Sequence, residues 1–377
     1  MKILFIDQYA QLGGAQQCLL DVLPPVAASG HSARLCLPEP GPFSQRAEAT
    51  GAEVFFAPFG DYSSTRKTLS ETPRYVADSL PVANALEAGI QDDRPDLLYV
   101  NGPRPLPASA WAARRQGSPL IFHCHHRISQ SSAIRLTNVA LRINRTHLIA
   151  CCRFAAEPVQ AAVGKERFHL VYNGVRGPDP VEEPVHAPKQ RRIGVIGRIA
   201  PEKGQIEFVD AARLVTRQFP DCRFVICGEP LFADLTVEKF AREVRRRAQG
   251  LPIEFLGWRD DVYSVIANLD LVVVPSVREP ATTRVILEAF ACGVPVVAFQ
   301  NGGIGEILIH NETGVLVKDH GAEALAAAIV ALLQAGDSEL NRLGANGRQE
   351  WRRRFTVERF QQDVLAVIDQ AARAGKK

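Results

Sequence analysis

Short apolar runs alternate with amphipathic segments along most of this sequence. The runs at residues 2–7, 97–100, 120–122 and 271–274 are rich in Leu, Ile, Val and Phe and predict buried strands. Segments with an apolar residue every three or four positions, among them residues 15–28, 205–218 and 356–372, predict helices that pack on a sheet. Pro24 and Pro25 are expected to kink or shorten the first of these helices. Strands that alternate with helices predict an α/β fold.

The length of the chain and one proline-rich segment indicate two domains. A chain of 377 residues is longer than a single hydrophobic core usually supports. Residues 178–189 contain four prolines among mixed charges, which is typical of an interdomain linker. We therefore predict a first domain over residues 1–180 and a second over residues 181–355.

Composition excludes several classes of protein. The formal net charge of +3 is too small to predict a nucleic-acid partner. No apolar run approaches the roughly 18 residues that a transmembrane helix needs. The eight cysteines lack the spacing of a zinc site, and reduced thiols in a cytoplasmic protein are the simplest interpretation.

Residues 271–306 place polar side chains where a parallel sheet binds ligands. The strand at 271–274 ends at Pro275 and is followed by a polar loop that contains Ser276 and Glu279. Thr282 or Thr283 can cap the next helix, which carries Glu288. Ligands bind at the carboxyl ends of parallel strands, where a helix N-terminus offers free N–H groups to a phosphate.

A second candidate site follows the strand predicted at residues 192–197. Arg198 and Lys203 lie in the loop between this strand and the helix at residues 205–218. Two cations beside a helix N-terminus favour a diphosphate on electrostatic grounds. The alternative is a surface ion pair between these cations and Glu202.

Two features of the first half are weaker signals. Gly13 and Gly14 follow the first strand, where they either let the backbone approach a ligand closely or form an ordinary tight turn. His123 and His125 share one face of a strand end, and His126 follows. A metal site would need further ligands, and no carboxylate is near in sequence. A structural histidine pair is the other interpretation from the residues alone.

Four sequence motifs together resemble a known family. Residues 275–279 read Pro-Ser-Val-Arg-Glu, and residues 288–296 read Glu-Ala-Phe-Ala-Cys-Gly-Val-Pro-Val. Residues 197–204 read Gly-Arg-Ile-Ala-Pro-Glu-Lys-Gly, and residues 173–175 read Asn-Gly-Val. This set resembles the retaining glycosyltransferases of family four, also called glycosyl transferases group 1, which use sugar nucleotides. The resemblance is specific over residues 192–317 and looser before residue 170.

The resemblance implies the GT-B fold, with two Rossmann-like domains facing across a cleft. The last helix, within residues 356–377, would return to the N-terminal domain. The donor would bind the C-terminal domain and the acceptor the N-terminal domain.

The same resemblance implies roles for individual residues. Arg198 and Lys203 would neutralise the leaving nucleoside diphosphate, Glu279 would contact the donor sugar, and Glu288 the ribose. His125 would lie near the donor sugar or the acceptor. The remaining donor contacts would come from Gly13, Gly14, Trp258, Arg259, Ser276, Thr282 and Thr283.

The sequence departs from the family pattern in three places. Eight residues separate Glu279 from Glu288, one more than in the family motif. Ala281 and the two threonines after it stand where the family has a glycine. Gln16 replaces a glutamate that family members often carry.

We therefore expect a retaining glycosyltransferase that works without a cofactor or metal, in cell-surface polysaccharide or glycoconjugate biosynthesis. Its partners would be a UDP- or GDP-sugar and a glycan or lipid-linked acceptor. The alternatives are a non-catalytic partner subunit of the same fold and a nucleotide-sugar epimerase. The basic amphipathic helix at residues 130–145 either contacts an anionic membrane or presents a solvated face. The protein would be cytoplasmic or peripheral at the inner face of the membrane.

Overall fold

The computed structural model describes residues 1–57, 84, 86, 94–178, 190–230, 235–278 and 280–375. The chain forms two compact units. Unit 1 comprises Met1–Asn173 together with Val357–Lys377, and unit 2 comprises Gly174–Thr356. The predicted linker at residues 178–189 lies almost entirely outside the described residues.

Unit 1 is built on a seven-stranded parallel sheet with the strand order β3-β2-β1-β4-β5-β6-β7. Its strands are β1 (Lys2–Asp7), β2 (Ser32–Leu37), β3 (Glu53–Phe56), β4 (Leu97–Asn101), β5 (Leu120–Cys124), β6 (His147–Ala150) and β7 (Phe168–Leu170). Strands β4 and β5 are buried along their whole length, as their apolar sequences predict.

Six described helices belong to unit 1. They are α1 (Gly14–Ala28), α2 (Pro42–Glu48), α3 (Leu106–Gln116), α4 (Ser131–Ile143), α5 (Arg153–Ala156) and the last helix, α12 (Val357–Gly375). Helix α12 inserts Phe360, Val364 and Ile368 into the same core as Phe5 and Leu19. The return of the C-terminal helix to the N-terminal unit is therefore confirmed.

Unit 2 contains a six-stranded parallel sheet with the order β10-β9-β8-β11-β12-β13. Its strands are β8 (Arg192–Ile196), β9 (Arg223–Cys227), β10 (Ile253–Gly257), β11 (Leu271–Val274), β12 (Val296–Phe299) and β13 (Val315–Val317). Its helices are α6 (Gln205–Gln218), α7 (Leu235–Arg247), α8 (Val262–Ala267), α9 (Arg284–Cys292), α10 (Ala322–Ala335) and α11 (Asp337–Glu350). One core cluster joins strands β8, β9, β11 and β12 to α6 and α10.

The fold class predicted from the sequence is confirmed, because both units are parallel α/β sheets of the Rossmann-like kind. Helix α1 runs through Pro24 and Pro25 as far as Ala28, so the two prolines do not shorten it. All eight cysteines are free thiols. None of the helices in the described ranges combines the length and apolar character needed to cross a bilayer.

Candidate active site

Unit 2 has its topological switch point between β8 and β11. The chain runs from β8 outward to β9 and β10, then returns to place β11 on the other side of β8. The loops that leave β8 and β11 therefore diverge, which opens a crevice at the carboxyl edge of the sheet. The predicted residues Arg198, Lys203 and Ser276 all lie in these two loops.

Close backbone contacts hold the two loops together. Gly204 has φ +72°, and a Cβ on it would lie 1.8 Å from the carbonyl oxygen of Pro275. The N–H of Val277 donates to the carbonyl of Glu202 over 3.1 Å. Only glycine permits the first approach, since any side chain would displace the strand end. The glycine that ends the Arg198–Gly204 motif thus fixes the geometry of the crevice.

Arg198 and Lys203 occupy the loop after β8 as predicted, but their electrostatic situations differ. The Arg198 guanidinium makes an ion pair with the Glu202 carboxylate, which is the alternative that the sequence left open. Lys203 is half-buried. Its pKa is lowered, first by burial and then by the positive charge of Arg198, with Glu202 opposing in part. A bound anion would reverse this shift, so the site is electrostatically suited to one.

The side chain of Gln205, at the start of α6, braces the Arg198 loop. It is 1% exposed and donates from Nε2 to the Arg198 carbonyl over 2.9 Å. Its Oε1 accepts from the Ala200 N–H over 3.4 Å. Gly204 precedes the helix without a side-chain cap, so the first-turn N–H groups of α6 have no such acceptor from the cap residue.

Ser276 lies buried where the loops after β11 and β12 meet. It is 2% exposed, and its carbonyl accepts from Asn301 Nδ2 over 3.0 Å. Beyond Asn301, the Gly303 N–H donates to the Pro280 carbonyl over 2.9 Å. Two hydrogen bonds from the loop after β12 therefore hold the loop after β11, which is expected to contact the donor, at Ser276 and at Pro280.

Helix α9 begins one residue after Thr283, which is the N-cap by position. The Thr283 hydroxyl makes no capping hydrogen bond, and among the described residues its oxygen has no hydrogen-bond partner. Thr282 precedes it and is half-buried. Of the two threonines that the sequence offered as the cap, Thr283 has the N-cap position, but its hydroxyl does not cap α9. Glu279 lies outside the described residues, and its role stays a prediction.

Glu288 lies one turn into α9 beside a cation that sequence reasoning did not single out. Arg284 Nε is 3.8 Å from Glu288 Oε1, and the two side chains are only 16% and 15% exposed. Arg284 also donates from a guanidinium N–H to the Gly174 carbonyl over 3.2 Å. Glu288 is therefore a partly buried carboxylate held near a guanidinium, unlike a solvated surface residue.

Trp258 and Arg259 follow β10 at the same edge of the sheet. Trp258 is 50% exposed. Arg259 donates to both carboxylate oxygens of Asp261, over 2.7 and 2.5 Å. The loop itself is anchored because the Gly228 N–H donates to the Gly257 carbonyl over 2.7 Å. The exposed indole is available for stacking on a ligand, whereas the Arg259 side chain is engaged locally.

Unit 1 has a corresponding switch point between β1 and β4. The glycine loop leaves β1, and α1 starts at Gly14 with Gly13 as its N-cap in an extended conformation. No side chain caps this helix N-terminus. A Cβ on Gly13 would come within 3.0 Å of Gln16 Oε1, so the loop has little room for a larger residue.

A buried polar network lies at this switch point. Asp7, at the end of β1, is fully buried and accepts two hydrogen bonds from Gln16 Nε2, over 2.9 and 3.0 Å. It also accepts from the Tyr9 N–H over 2.9 Å and from Asn101 Nδ2 over 2.5 Å. Burial raises the pKa of Asp7 to about 6, although these hydrogen bonds oppose the shift.

His125 joins the network immediately after β5. Its Nε2 is 2.6 Å from Asn101 Oδ1, and its ring packs against that of His123, with centroids 3.8 Å apart and the planes tilted by 35°. The predicted shared face of the two histidines is confirmed. His123 Nδ1 is 2.6 Å from the Tyr99 hydroxyl, and burial lowers the pKa of His123 to about 3. In the described part of the chain, no three His, Cys, Asp or Glu side chains group as a metal site requires.

Two family models match the sequence, one in each half of the chain. The model of the "Glycosyl transferase 4-like domain" matches residues 13–174, and that of "Glycosyl transferases group 1" matches residues 190–335. The chain belongs to the glycosyltransferases of group 1. The first match includes Gly13 and Gly14, and the second includes the Arg198 loop and helix α9.

Relatives of this group 1 chain include enzymes whose names specify inositol-containing acceptors. The D-inositol 3-phosphate glycosyltransferase of Jonesia denitrificans is 27% identical over 259 residues, which is 64% of this chain and 58% of that protein. The phosphatidyl-myo-inositol mannosyltransferase of Mycobacterium leprae is 28% identical over 294 residues, 75% of each chain. The match thus spans less than two thirds of the length of the first relative.

A solved structure supports the fold of the group 1 chain. The Anabaena protein HepE, crystallised with UDP-glucose, superposes with a TM-score of 0.81 and 24% sequence identity. The superposition covers 98% of this chain and all of that one. At this level of identity, the likeness establishes a shared GT-B fold.

Four residues of the two sites had no recognised signal in the sequence: Asp7, Asn101, Gln205 and Arg284. Asp7 and Asn101 are the last residues of buried apolar strands, and that position could have marked them. Arg284 precedes Glu288 by four positions on a helix, which is the spacing of an ion pair. Gln205 resembles any polar first-turn residue, and only the folded loop reveals its contacts.

Proposed function

We propose that this protein transfers a sugar from a nucleotide-sugar donor to a glycan or lipid-linked acceptor, with retention of the anomeric configuration. The observation that carries the proposal is the cation pair at the β8–β11 switch point. Lys203 is a half-buried ammonium whose pKa is lowered partly by Arg198, and the α6 N-terminus lies beside it. Two cations here share the nearby carboxylate of Glu202, and a diphosphate would supply further negative charge to them.

The chemistry follows from that charge. When the bond between the anomeric carbon and the phosphate oxygen breaks, its electron pair moves onto the leaving diphosphate. Cations and N–H groups already in position stabilise that charge without reorganisation. Arg198 would exchange its contact with Glu202 for the phosphate. Glu288 would accept from the ribose hydroxyls and Glu279 would contact the sugar. The acceptor hydroxyl would attack the anomeric carbon from the face that the diphosphate leaves, which retains the configuration, and its proton would pass to the departing phosphate oxygen.

We further propose that the donor site lies in unit 2 and that it needs no metal ion. Uridine diphosphate sugars are the first donors to test, because HepE was crystallised with UDP-glucose. The reaction would serve the assembly of a cell-surface polysaccharide or glycoconjugate. A phosphorylated or inositol-containing acceptor is suggested by the names of the curated relatives.

A thermal-shift screen with UDP- and GDP-sugars tests donor binding, because a ligand of the folded state raises its apparent stability. Stabilisation by one sugar nucleotide, followed by its turnover in the presence of EDTA, is the expected result. Activity that chelation abolishes and a divalent ion restores would reject the metal-free mechanism. Binding without turnover would favour a non-catalytic subunit, and an altered sugar in the absence of acceptor would favour an epimerase.

A second proposal concerns the membrane. Residues 97–156 contain eight arginines and no aspartate or glutamate. Within this segment, Arg115 on α3 and Arg135 and Arg142 on α4 are exposed. Trp111 and Val139, on the same two helices, are 49% and 52% exposed. Two exposed apolar side chains among several arginines suit an anionic lipid surface, where a lipid-linked acceptor would reside.

Vesicle sedimentation tests this proposal. The protein should bind vesicles that contain anionic phospholipid and not neutral phosphatidylcholine vesicles. The double variant Arg135→Glu/Arg142→Glu should lose that binding, whereas Arg246→Glu, an exposed arginine of unit 2, should retain it. Equal sedimentation of all three proteins would overturn the proposed contact.

A further inference from the structure

The amide of Asn101 connects two groups with opposite hydrogen-bonding needs. Its Nδ2 lies 2.5 Å from Asp7 Oδ2 and 3.2 Å from the Ala15 carbonyl oxygen. Both neighbours are acceptors when Asp7 is ionised, so the NH₂ group must point toward them. The amide oxygen then faces His125 Nε2 at 2.6 Å. Because that oxygen can only accept, Nε2 must carry a proton.

We propose that Asp7 is a positioning residue that, through Asn101, holds His125 in the tautomer protonated at Nε2. The proposal deepens the proposed function, on which it rests for the role of His125 near the transferred sugar. In the neutral ring, this tautomer leaves the lone pair on Nδ1. The ring of His123 packs against that of His125, and the hydrogen bond to Asn101 fixes the rotation of the His125 ring.

The described neighbours of Asp7 present hydrogen-bond donors to both of its oxygens. Four hydrogen bonds reach its two oxygens, from Gln16 Nε2 twice, from the Tyr9 N–H and from Asn101 Nδ2. An asparagine at position 7 would have only one accepting oxygen. Its oxygen would stay beside the Tyr9 N–H, because a backbone donor cannot turn away. Its NH₂ group would then face the NH₂ group of Asn101.

The same geometry accounts for the departure at position 16. Gln16 Nε2 lies within 3.0 Å of both Asp7 oxygens. A glutamate in its place would set two buried carboxylates against each other, and one of them would have to be protonated. A carboxylate at position 7 therefore favours an amide donor over a second carboxylate at position 16.

Replacement of Asp7 should reverse the hydrogen-bond chain. In Asp7→Asn, the Asn101 amide relieves the NH₂–NH₂ conflict by turning over, which presents its NH₂ group to His125 Nε2. That nitrogen must then accept, so the imidazole proton moves to Nδ1. The nucleotide contacts of unit 2 have no part in this network.

The test is the tautomer of His125, read from ¹⁵N chemical shifts of the full-length protein labelled at histidine, at slightly alkaline pH. The His125 signals are assigned by their loss in His125→Gln. Wild type should show a protonated Nε2 and an unprotonated Nδ1, and Asp7→Asn should show the opposite pattern or a mixture. Asp96→Asn is the matched control, because Asp96 is an exposed carboxylate of the same unit that accepts from the Lys2 N–H.

Turnover and nucleotide affinity provide the second readout. Asp7→Asn should lower the turnover number about tenfold, the worth of one oriented hydrogen bond, and leave the affinity for UDP unchanged. A wild-type His125 protonated at Nδ1 would overturn the proposal even if no variant folds. An unchanged tautomer in a folded Asp7→Asn would overturn it as well. Because the tautomer is measured without substrate, this test decides the proposal about Asp7 even if no sugar transfer is found.

Discussion

Gly204 lies directly against the carbonyl group of Pro275, and a Cβ on the glycine would come within 1.8 Å of that oxygen. The two residues belong to the loops after β8 and β11, between which the sheet order reverses. The contact therefore sets the separation of the loops that carry Arg198 and Ser276. Its tightness makes it sensitive to the smallest possible side chain.

Gly204→Ala should lower the free energy of unfolding by more than about 2 kcal/mol, since left-handed strain and a backbone collision add. Gly250→Ala is the control. Gly250 has a similar φ of +76°, but a Cβ there meets nothing within 4 Å. Gly250→Ala should therefore lower the free energy of unfolding by only about 1 kcal/mol, the cost of left-handed backbone strain. Urea unfolding measures both, and equal losses would show that the contact with Pro275 can relax.

Arg198→Ala and Lys203→Ala should each reduce turnover about 100-fold, since removal of one preorganised cation typically costs about 3 kcal/mol of barrier. Arg246→Ala is the control, because Arg246 is exposed and pairs only with Glu243 in the described structure. Steady-state rates of donor turnover provide the measurement. Near-wild-type rates in both site variants would remove the basis for a diphosphate site after β8.

Binding of UDP should take up protons at alkaline pH, within a unit or two of the ordinary lysine pKa of about 10.4. Burial and Arg198 lower the pKa of Lys203 in the free protein, and the diphosphate should raise it again. Calorimetry in buffers of different ionisation enthalpy measures the uptake. Lys203→Arg keeps the charge and should abolish the uptake. The same uptake in this variant would assign the proton to another group.

The two glutamates after β11 should be separable by experiment. Glu279→Gln should impair transfer strongly with little change in UDP affinity, because its expected contact is with the sugar. Glu288→Ala should weaken UDP binding itself, by about tenfold for a lost charge-assisted hydrogen bond. Calorimetric titration with UDP and transfer assays distinguish the two. Full activity in Glu279→Gln would strengthen the case for a non-catalytic subunit.

The stability of wild type should depend on pH through Asp7. Its pKa is raised from 3.8 to about 6, so the folded state holds the proton more tightly than the unfolded state does. This contribution is complete below the lower value and is lost as pH rises through the upper one. Wild type should therefore lose up to about 3 kcal/mol relative to Asp7→Asn over that interval. Urea unfolding at several pH values checks this, and a constant difference would contradict the buried titration.

Local patterns in the sequence predicted the elements, and long-range contacts decided the site. The bounds of β1, β11 and α6 follow from apolar periodicity and agree with the structure. The loop positions of Arg198 and Lys203 follow from one continuous motif. The partners of these two side chains do not follow from the motif, because the same residues could make an ion pair with Glu202 or bind a phosphate.

The polar network of unit 1 could not be predicted from the sequence for a related reason. Asp7 and Asn101 are 94 positions apart and meet only because β4 pairs with β1. The hydroxyl of Thr283 makes no capping hydrogen bond although threonine is a residue type that often caps helices, so residue type alone did not predict this contact. Polar contacts of this kind depend on sheet order, and sheet order is a property of the whole chain.

The return of α12 to the first sheet also constrains how the protein is made. Unit 2 is one continuous stretch, so the ribosome synthesises all of it before the last helix. Until then, the core around Phe5 and Leu19 lacks Phe360, Val364 and Ile368. The domain that begins first is therefore the one completed last, and the N-terminal sheet must wait with an apolar face uncovered.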